Sequence, residues 1–496
     1  MRNISLRLLR QSGVYALGNV ALKASGLVLA FFYLNPAYLT VEEFGYFGLL
    51  IVTAQLSIYL AGLGLGTGLL KFMTDPTYEG DHVALPFTAL LATVGAALLA
   101  LGGLGGLARP LAALMLDDAA HAVLVQLMAL YMAFKVVGGI PLMLLRVQER
   151  AGWYIVAMIA EVLVLLGAAY FFLVEREKGL TGLIEAYALA AGVSATVLIG
   201  LMLHRVPWRF ERRLVRVLIR YGAPLVIASL AGWFLNAGDR YLLKWLADAT
   251  VLGLYEWAAR LAGVLNMLFV QSFNLAFAVI GLKTLGEGGG DGQVHRRTLR
   301  HYVIWTGWAA LGLALLAYDL TRLLPADPYY LQADTLILFL ALGFMNYGIY
   351  YVIINVVYAA GHTKAISLIV LGAAILNGVL NLLLIPWLGA LGAALATFLA
   401  YLVLALGAAH AARSEVQIGF PWSVFLIVVG LVGGLYALAQ PSLSWSVAAR
   451  LGTRLGLILA YPFLIILTGL YSREELRMLR DALKGWIRPS NGRRPG

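Results

Sequence analysis

Apolar runs of about twenty residues recur along nearly the whole chain, with only short breaks between them. A helix needs about 20 such residues to cross the hydrocarbon core of a bilayer. About fourteen runs qualify: 12–34, 45–68, 83–107, 119–145, 151–174, 180–203, 218–246, 250–280, 300–320, 332–358, 364–386, 388–410, 421–440 and 447–470. The runs are continuous rather than alternating, which predicts helices and not barrel strands. The expected fold is an all-α integral membrane protein with about 14 transmembrane helices. Composition agrees, because 61% of the 496 residues are hydrophobic and 12% are charged, against roughly 25% charged in soluble domains. The run after the basic MRNISLRLLR is about 23 residues, longer than the roughly 7–15 of a signal-peptide core. It reads as an uncleaved first span.

Lys and Arg set the expected orientation. With the N-terminus in the cytoplasm, about 25 of the 36 basic residues fall on cytoplasmic segments, about 4 on the far side and about 7 within spans. The net charge of +11 is then a topology signal, and nucleic acid is not needed as a partner. The basic loop HRVPWRFERRLVRVLIR, 204–220, reads the same way, with lipid headgroup binding as the alternative. The absence of Cys excludes disulfides, Fe–S clusters and thiol chemistry. KTLGEGGGDGQVHRR near 281–299 reads as a flexible cytoplasmic link. In the tail, Leu476, Leu479, Leu483, Trp486 and Ile487 share one helical face opposite Arg and Lys, which predicts a helix lying on the inner membrane surface.

An internal repeat divides the chain. LLRQSG, 8–13, matches LIRYGA, 218–223; VEEFGYFG, 41–48, matches ATVLGLYE, 249–256. KGLTGLIEAYALAAG, 178–192, matches WLGALGAALATFLAYLV, 387–403. Spans 1–6 and 7–12 are therefore two parallel six-helix halves, an arrangement that places a substrate path at their interface and works by rocking. The expected units are 1–205, 206–412, spans 13 and 14 over 413–470, and the amphipathic tail 471–496.

Two stretches carry a family resemblance. VEEFGYFGLLIVTAQLSIYLAGLGLGTGLLKF, 41–72, resembles the first-half signature of bacterial polysaccharide (O-antigen type) flippases, and DRYLLKWLADATVLGLYEWAARLAGV, 239–264, resembles the segment that begins their second half. These flippases belong to a superfamily that includes multidrug and toxic-compound extrusion transporters and the lipid II flippase. The chain departs from the pattern at Ala61-Gly62, where an acidic residue is usual, and at Glu256, where a small residue is usual. The resemblance implies a bacterial inner-membrane protein with both termini cytoplasmic. Its substrate would be an oligosaccharide on a polyprenyl pyrophosphate, moved from inner to outer leaflet through a cavity between the halves by alternating access. It implies membrane lipids as partners, and polymerase or ligase machinery of the same pathway as further ones.

Charges inside the spans are the candidate site. Each costs roughly 2.5–3.5 kcal/mol at a helix centre if it faces lipid, so they must line a wet cavity, pair, or snorkel. Asn236, Arg240 and Lys244 share one face. Lys244, near the outer end, can snorkel or line the path. Arg240 can pair with Asp239 or with an acid on span 8, or can meet pyrophosphate with its planar fork. Glu256 and Arg260 stand at i, i+4, with Gln271 and Asn274 close to that face. In the first half Lys23 follows Tyr15 and Asn19 on one face, and Lys135 lies in span 4. Lys23, Lys135, Arg240, Lys244 and Arg260 are the expected headgroup-binding cations of a positively charged chamber. Asp239, Glu161, Glu185 and Glu256 are the candidates for ion coupling; the plainer alternative makes Glu161 and Glu185 neutralise Lys23 or Lys135.

No cofactor, no metal and no enzyme activity are expected: no Walker-type motif follows a strand, the His residues are scattered, and the outer loops are too short for a glycosyltransferase, ligase or polymerase site. A multidrug or small-molecule antiporter of the same fold is the alternative, although a basic interior suits cationic drugs poorly. A lipid II flippase is the nearer one, without its expected arginine cluster in the first span.

Overall fold

A computed structural model of the chain describes residues 26, 28–274, 277, 293–413, 419–471 and 475. Lys23, most of the first span and the tail face from Leu476 to Ile487 lie outside the described residues. Among those described, every regular element is helical, and twelve helices are long and apolar enough to cross a membrane. The protein is a multi-pass membrane protein. In chain order the principal helices are α1 (Val41–Gly62), α2 (Leu65–Met73), α3 (Leu85–Gly106), α4 (Ala108–Leu116), α5 (Ala122–Val147), α6 (Ala151–Tyr170), α7 (Gly179–Leu203), α8 (Arg212–Ala237), α9 (Asp239–Leu246), α10 (Ala249–Leu265), α11 (Gln293–Arg322), α12 (Asp334–Ala359), α13 (Thr363–Leu388), α14 (Ala390–Ala412), α15 (Trp422–Ala439) and α16 (Val447–Leu467).

The twelve correspond to twelve of the fourteen apolar runs. The eighth run is α10, 17 residues long and continued by a π-helical turn, Asn266–Gln271. The seventh run differs most from expectation. Its helix starts at Arg212, inside the basic loop, and breaks at Gly238 between α8 and α9. Gly238 keeps right-handed helical torsions, φ −66° and ψ −26°, and donates to the Phe234 carbonyl at 2.8 Å, while the Phe234 ring occupies the space a side chain would need.

Caps fix where the two repeat signatures begin. Thr40 caps α1: its side chain accepts from the Glu43 amide while Glu43 accepts from the Thr40 amide at 2.9 Å, a reciprocal capping box. Asp248 caps α10 by accepting from the Val251 amide at 2.7 Å. Thr40 and Asp248 occupy equivalent repeat positions, one residue before Val41 and Ala249. At its other end α1 stops where Leu63 and Gly64 both turn left-handed, at φ 47° and 66°.

Among the described residues four clusters of buried side chains hold the bundle, the smallest around Met132 of α5. One contains residues of both repeats, among them Tyr33, Phe44, Phe47, Trp257 and Ile337. It lies at the end of the bundle that carries Asp117, Asp248 and Asp327, here the acidic end. A second, at the opposite basic end, joins Leu65 and Leu69 of α2 to Leu214 and Leu218 of α8. The third packs α11, α12 and α14 against α15 and α16. Two buried arginines add to that docking: Arg450 gives two hydrogen bonds to Asp319 of α11 at 2.6 and 2.9 Å, and Arg454 reaches Asp319 and the Leu315 carbonyl. The last two spans are thereby tied to the second repeat by charge as well as by apolar area.

Candidate functional site

The two repeats meet at the acidic end where α1 crosses α10. The crossing is close because two glycines allow it. A Cβ on Gly45 would lie 2.0 Å from the Ala249 carbonyl oxygen, and one on Gly253 would lie 2.1 Å from the Val41 carbonyl oxygen. Gly45 is equivalent to Gly253, and Val41 to Ala249, so the contact is reciprocal about a pseudo-two-fold axis. Three residues on, Gly48 meets its own equivalent, Glu256: a Cβ at position 48 would stand 2.4 Å from Glu256 Cγ. The Glu that departs from the family pattern fits only because its counterpart is Gly.

Glu256 is the hub of a charge network on this seam. Arg240 Nε donates to it at 3.0 Å, and Arg240 also donates to Asp239 at 2.8 Å and to the Asn236 carbonyl at 2.7 Å. Both alternatives for a structural partner of Arg240 are thus present together. Asp239 is 2% exposed; it accepts from Tyr255 Oη and, at 3.4 Å, from Thr397 of α14. Tyr401 Oη donates to Asn236 at 2.6 Å. Arg260 stands 3.9 Å from Glu256, and its guanidinium is boxed by three rings of the first repeat, Tyr33, Phe44 and Phe47, at 5.0, 5.2 and 5.4 Å. A desolvated cation–π contact contributes up to about 2 kcal/mol, so a cation of one repeat seals into the aromatic core of the other.

The remaining sequence candidates are placed apart from this hub. Lys135 of α5 donates to Glu161 of α6 at 2.8 Å within the first repeat. Glu185 accepts from Lys178 at 2.7 Å at the acidic end, not from Lys135. Lys244 is buried along its stem, and its ammonium bonds the exposed carboxylate of Asp117 at 2.5 Å, a contact across the two repeats. That ammonium holds the Asp117 carboxyl below the usual carboxylate range. Every described candidate cation therefore has a carboxylate beside it. Arg240 and Arg260 face Asp239 and Glu256, a balanced set, where the sequence suggests a chamber with an excess of positive charge. A bare intramembrane charge is the costlier arrangement.

Sequence reasoning missed Asp117, the aromatic box, Tyr255, Thr397 and the Asp319–Arg450–Arg454 cluster. The Arg450/Arg454 spacing of four, on one face at the start of an apolar run, is a signal that was legible. The others are tertiary partners with no local pattern.

At the basic end the repeats meet again. Gly222 of α8 lies against the turn between α1 and α2, where a Cβ would stand 2.3 Å from the Leu63 carbonyl oxygen, and Gly68 of α2 packs on Leu218. Between α1, α2 and α8 this contact is of backbone and apolar groups. The interface between the repeats is therefore closed near both ends.

The sequence model of the family described as "Polysaccharide biosynthesis protein" matches residues 8–277, which take in the first repeat and the seam helices. Among curated proteins no match is found. Several solved structures share the architecture. A lipid II flippase MurJ in an inward closed conformation superposes with TM-score 0.74 at 13% identity, over 92% of this chain and 99% of that one. A multidrug resistance MATE family transporter in an outward-facing conformation gives 0.58 at 14% identity, over 86% and 96%. The Vibrio cholerae MATE transporter VcmN in its bent form gives 0.51 at 14% identity, over 84% and 98%. At these identities the likeness is one of fold.

Proposed function

Because the chain belongs to the polysaccharide biosynthesis protein family, whose sequence model spans residues 8–277, we propose that it is a flippase for a polyprenyl-pyrophosphate-linked oligosaccharide. It carries this lipid from the cytoplasmic to the outer leaflet of a bacterial inner membrane, with both chain termini in the cytoplasm. The observation that carries the reading is the seam: two parallel repeats in contact at both ends, with Arg240, Arg260, Asp239 and Glu256 held between them.

Alternating access follows from that geometry. Parting α2 from α8 opens the basic, cytoplasmic end; parting α1 from α10 opens the acidic, outer end. The pyrophosphate enters the seam and competes with Asp239 and Glu256 for the fork of Arg240, which suits a phosphate geometrically. Lys23, Lys135, Lys244 and Arg260 supply further positive charge along the path. A carboxylate displaced from its arginine takes up a proton or another cation, which couples Asp239 or Glu256 to the ion gradient; Glu161 and Glu185 are the further candidates. One charge moved through 100 mV is worth about 2.3 kcal/mol, so a few per cycle suffice to drive the step. Surface-polysaccharide polymerase or ligase machinery consumes the product.

The test uses inverted vesicles from cells lacking the protein, with and without it restored. Labelled lipid-linked oligosaccharide should become protected in the lumen-facing leaflet only when the protein is present, and Arg240→Ala should abolish that entry while the protein remains in the membrane. Entry independent of the protein, or drug export in its place, would overturn the reading.

A further inference from the structure

Outside the seam, the first repeat contains an open slot, and of its lining only the carboxylates Glu161 and Glu185 enter the cycle above. α6 packs along α7 but touches α5 sparsely, and the gap is a cavity of about 350 Å³. Its walls are apolar, with Leu144 of α5, Ala157 of α6 and Leu198 of α7 facing one another, and the Glu161 of the Lys135 pair set into one side. The mouth, at the basic end, carries Arg150 and Arg205, both exposed and neither in an ion pair among the described residues, beside Trp153. Arg150 is also the N-cap of α6, where no side chain satisfies the first amides. A second cavity of about 520 Å³ shares Val193 and Val197 with the first and continues between α5 and α7 as far as Glu185. From Arg205 to Glu185 the track follows twenty residues of helix, or about 30 Å at 1.5 Å each, the full hydrocarbon thickness.

We propose that this track binds the polyprenyl chain of the transported lipid, with its phosphate held at the mouth by Arg150 and Arg205 before the headgroup passes into the seam. The inference rests on the substrate reading above and gives its tail a place of its own, apart from the charge network that meets the headgroup. Length decides the occupant. An acyl chain of a bilayer lipid reaches across one leaflet, roughly half of the ~30 Å core, and leaves half the track empty. A long single polyprenyl chain fills it. The track is also one slot with one cationic mouth, which fits a single-chain phosphate rather than a two-chain phospholipid. Two guanidinium forks and the free amides of a helix start form an anion site of the right charge for a phosphate. Its far end reaches Glu185, which Lys178 neutralises.

The test is binding, not transport. Full-length protein in phosphatidylcholine nanodiscs is photolabelled with a long-chain polyprenyl monophosphate bearing a diazirine on the chain and no sugar. Labelled peptides should map to 141–164 and 185–205. Ala157→Trp, which fills the slot, and the double variant Arg150→Gln/Arg205→Gln, which changes only exposed side chains, should each lower labelling at least tenfold, and a tenfold excess of phosphatidylglycerol should not compete. Labelling elsewhere, labelling undiminished in the double variant, or equal displacement by phosphatidylglycerol would overturn the proposal. Vesicle transport measured on the unsubstituted protein separates the two readings. Protein that transports the glycolipid without labelling in the track refutes the track and leaves the flippase; labelling in the track by protein that transports nothing supports the track and refutes the flippase.

Discussion

The two contacts between the repeats are built from different materials. At the acidic end α1 and α10 touch backbone to backbone through Gly45 and Gly253, and behind them lies a buried set of two arginines and two carboxylates. At the basic end Gly64, Gly68 and Gly222 allow an equally close approach, but the ion pair nearby, Arg213 with Asp81, is at the surface, with the Arg213 side chain 61% exposed. Parting the basic end exposes backbone and apolar groups. Parting the acidic end also uncovers charges that have been compensated inside the protein. The second is a contact that an anionic ligand can help to break, because it offers the arginines a new partner.

Glycine substitutions should break the comparison most completely. Gly45→Leu and Gly222→Leu each force one end apart, and each should reduce vesicle transport at least a hundredfold. Gly102→Leu, where a Cβ would meet nothing within 4 Å, should leave transport within twofold. Equal activity in all three would show that neither closure forms during the cycle.

Removing one partner of the buried network comes next. Arg240→Ala leaves Glu256 and Asp239 facing each other without their shared cation, and loss of a buried partner costs about 3–5 kcal/mol. Its melting temperature in detergent should fall well below that of the parent, and Arg240→Ala/Glu256→Ala should recover part of the loss. No recovery would mean that the pair does not act as a unit.

The Lys244–Asp117 pair should give a smaller, pH-dependent effect. The native carboxyl is held below its ordinary value of about 3.9 by Lys244. Its contribution is present above that ordinary value and is lost as pH falls through the lowered native one. Asp117→Asn should therefore be slightly less stable than the parent at pH 6 and indistinguishable at low acidic pH. A difference that grows on acidification would reverse the sign and refute the assignment.

Arg213→Ala, at the basic surface, should cost least, leaving the melting temperature close to that of the parent. A cost matching that of Arg240→Ala would erase the contrast between the two ends.

The all-helical class, twelve of the spans and the repeat were legible in the sequence because they are written locally: an apolar run needs only its own length, and equivalent caps and glycines recur at matched positions. The break at Gly238 was not, because Asn-Ala-Gly in an apolar run reads as continuous helix until Phe234 is seen to occupy the space beside it. Arg240 was legible as an expensive residue in need of a partner. That it holds two at once depends on how α9 meets α10, which no local pattern records. The partner of Lys244 was hidden for a similar reason. Basic residues were conspicuous within the runs, whereas Asp117, which answers Lys244, sits in a loop 127 residues away.

The facing of Gly48 and Glu256 bears on how such a protein comes to exist. In a dimer of identical six-helix chains, a residue lying on the two-fold axis, as position 48 would, meets its own copy. Two glycines could meet there. Two glutamates could not, since a single added Cβ already collides with Glu256 and the like charges would repel in a dry contact. The hub of the network thus requires that symmetry be broken at one position, and a single chain carrying both copies is what permits it: one half keeps the hole, the other acquires the charge that fills it.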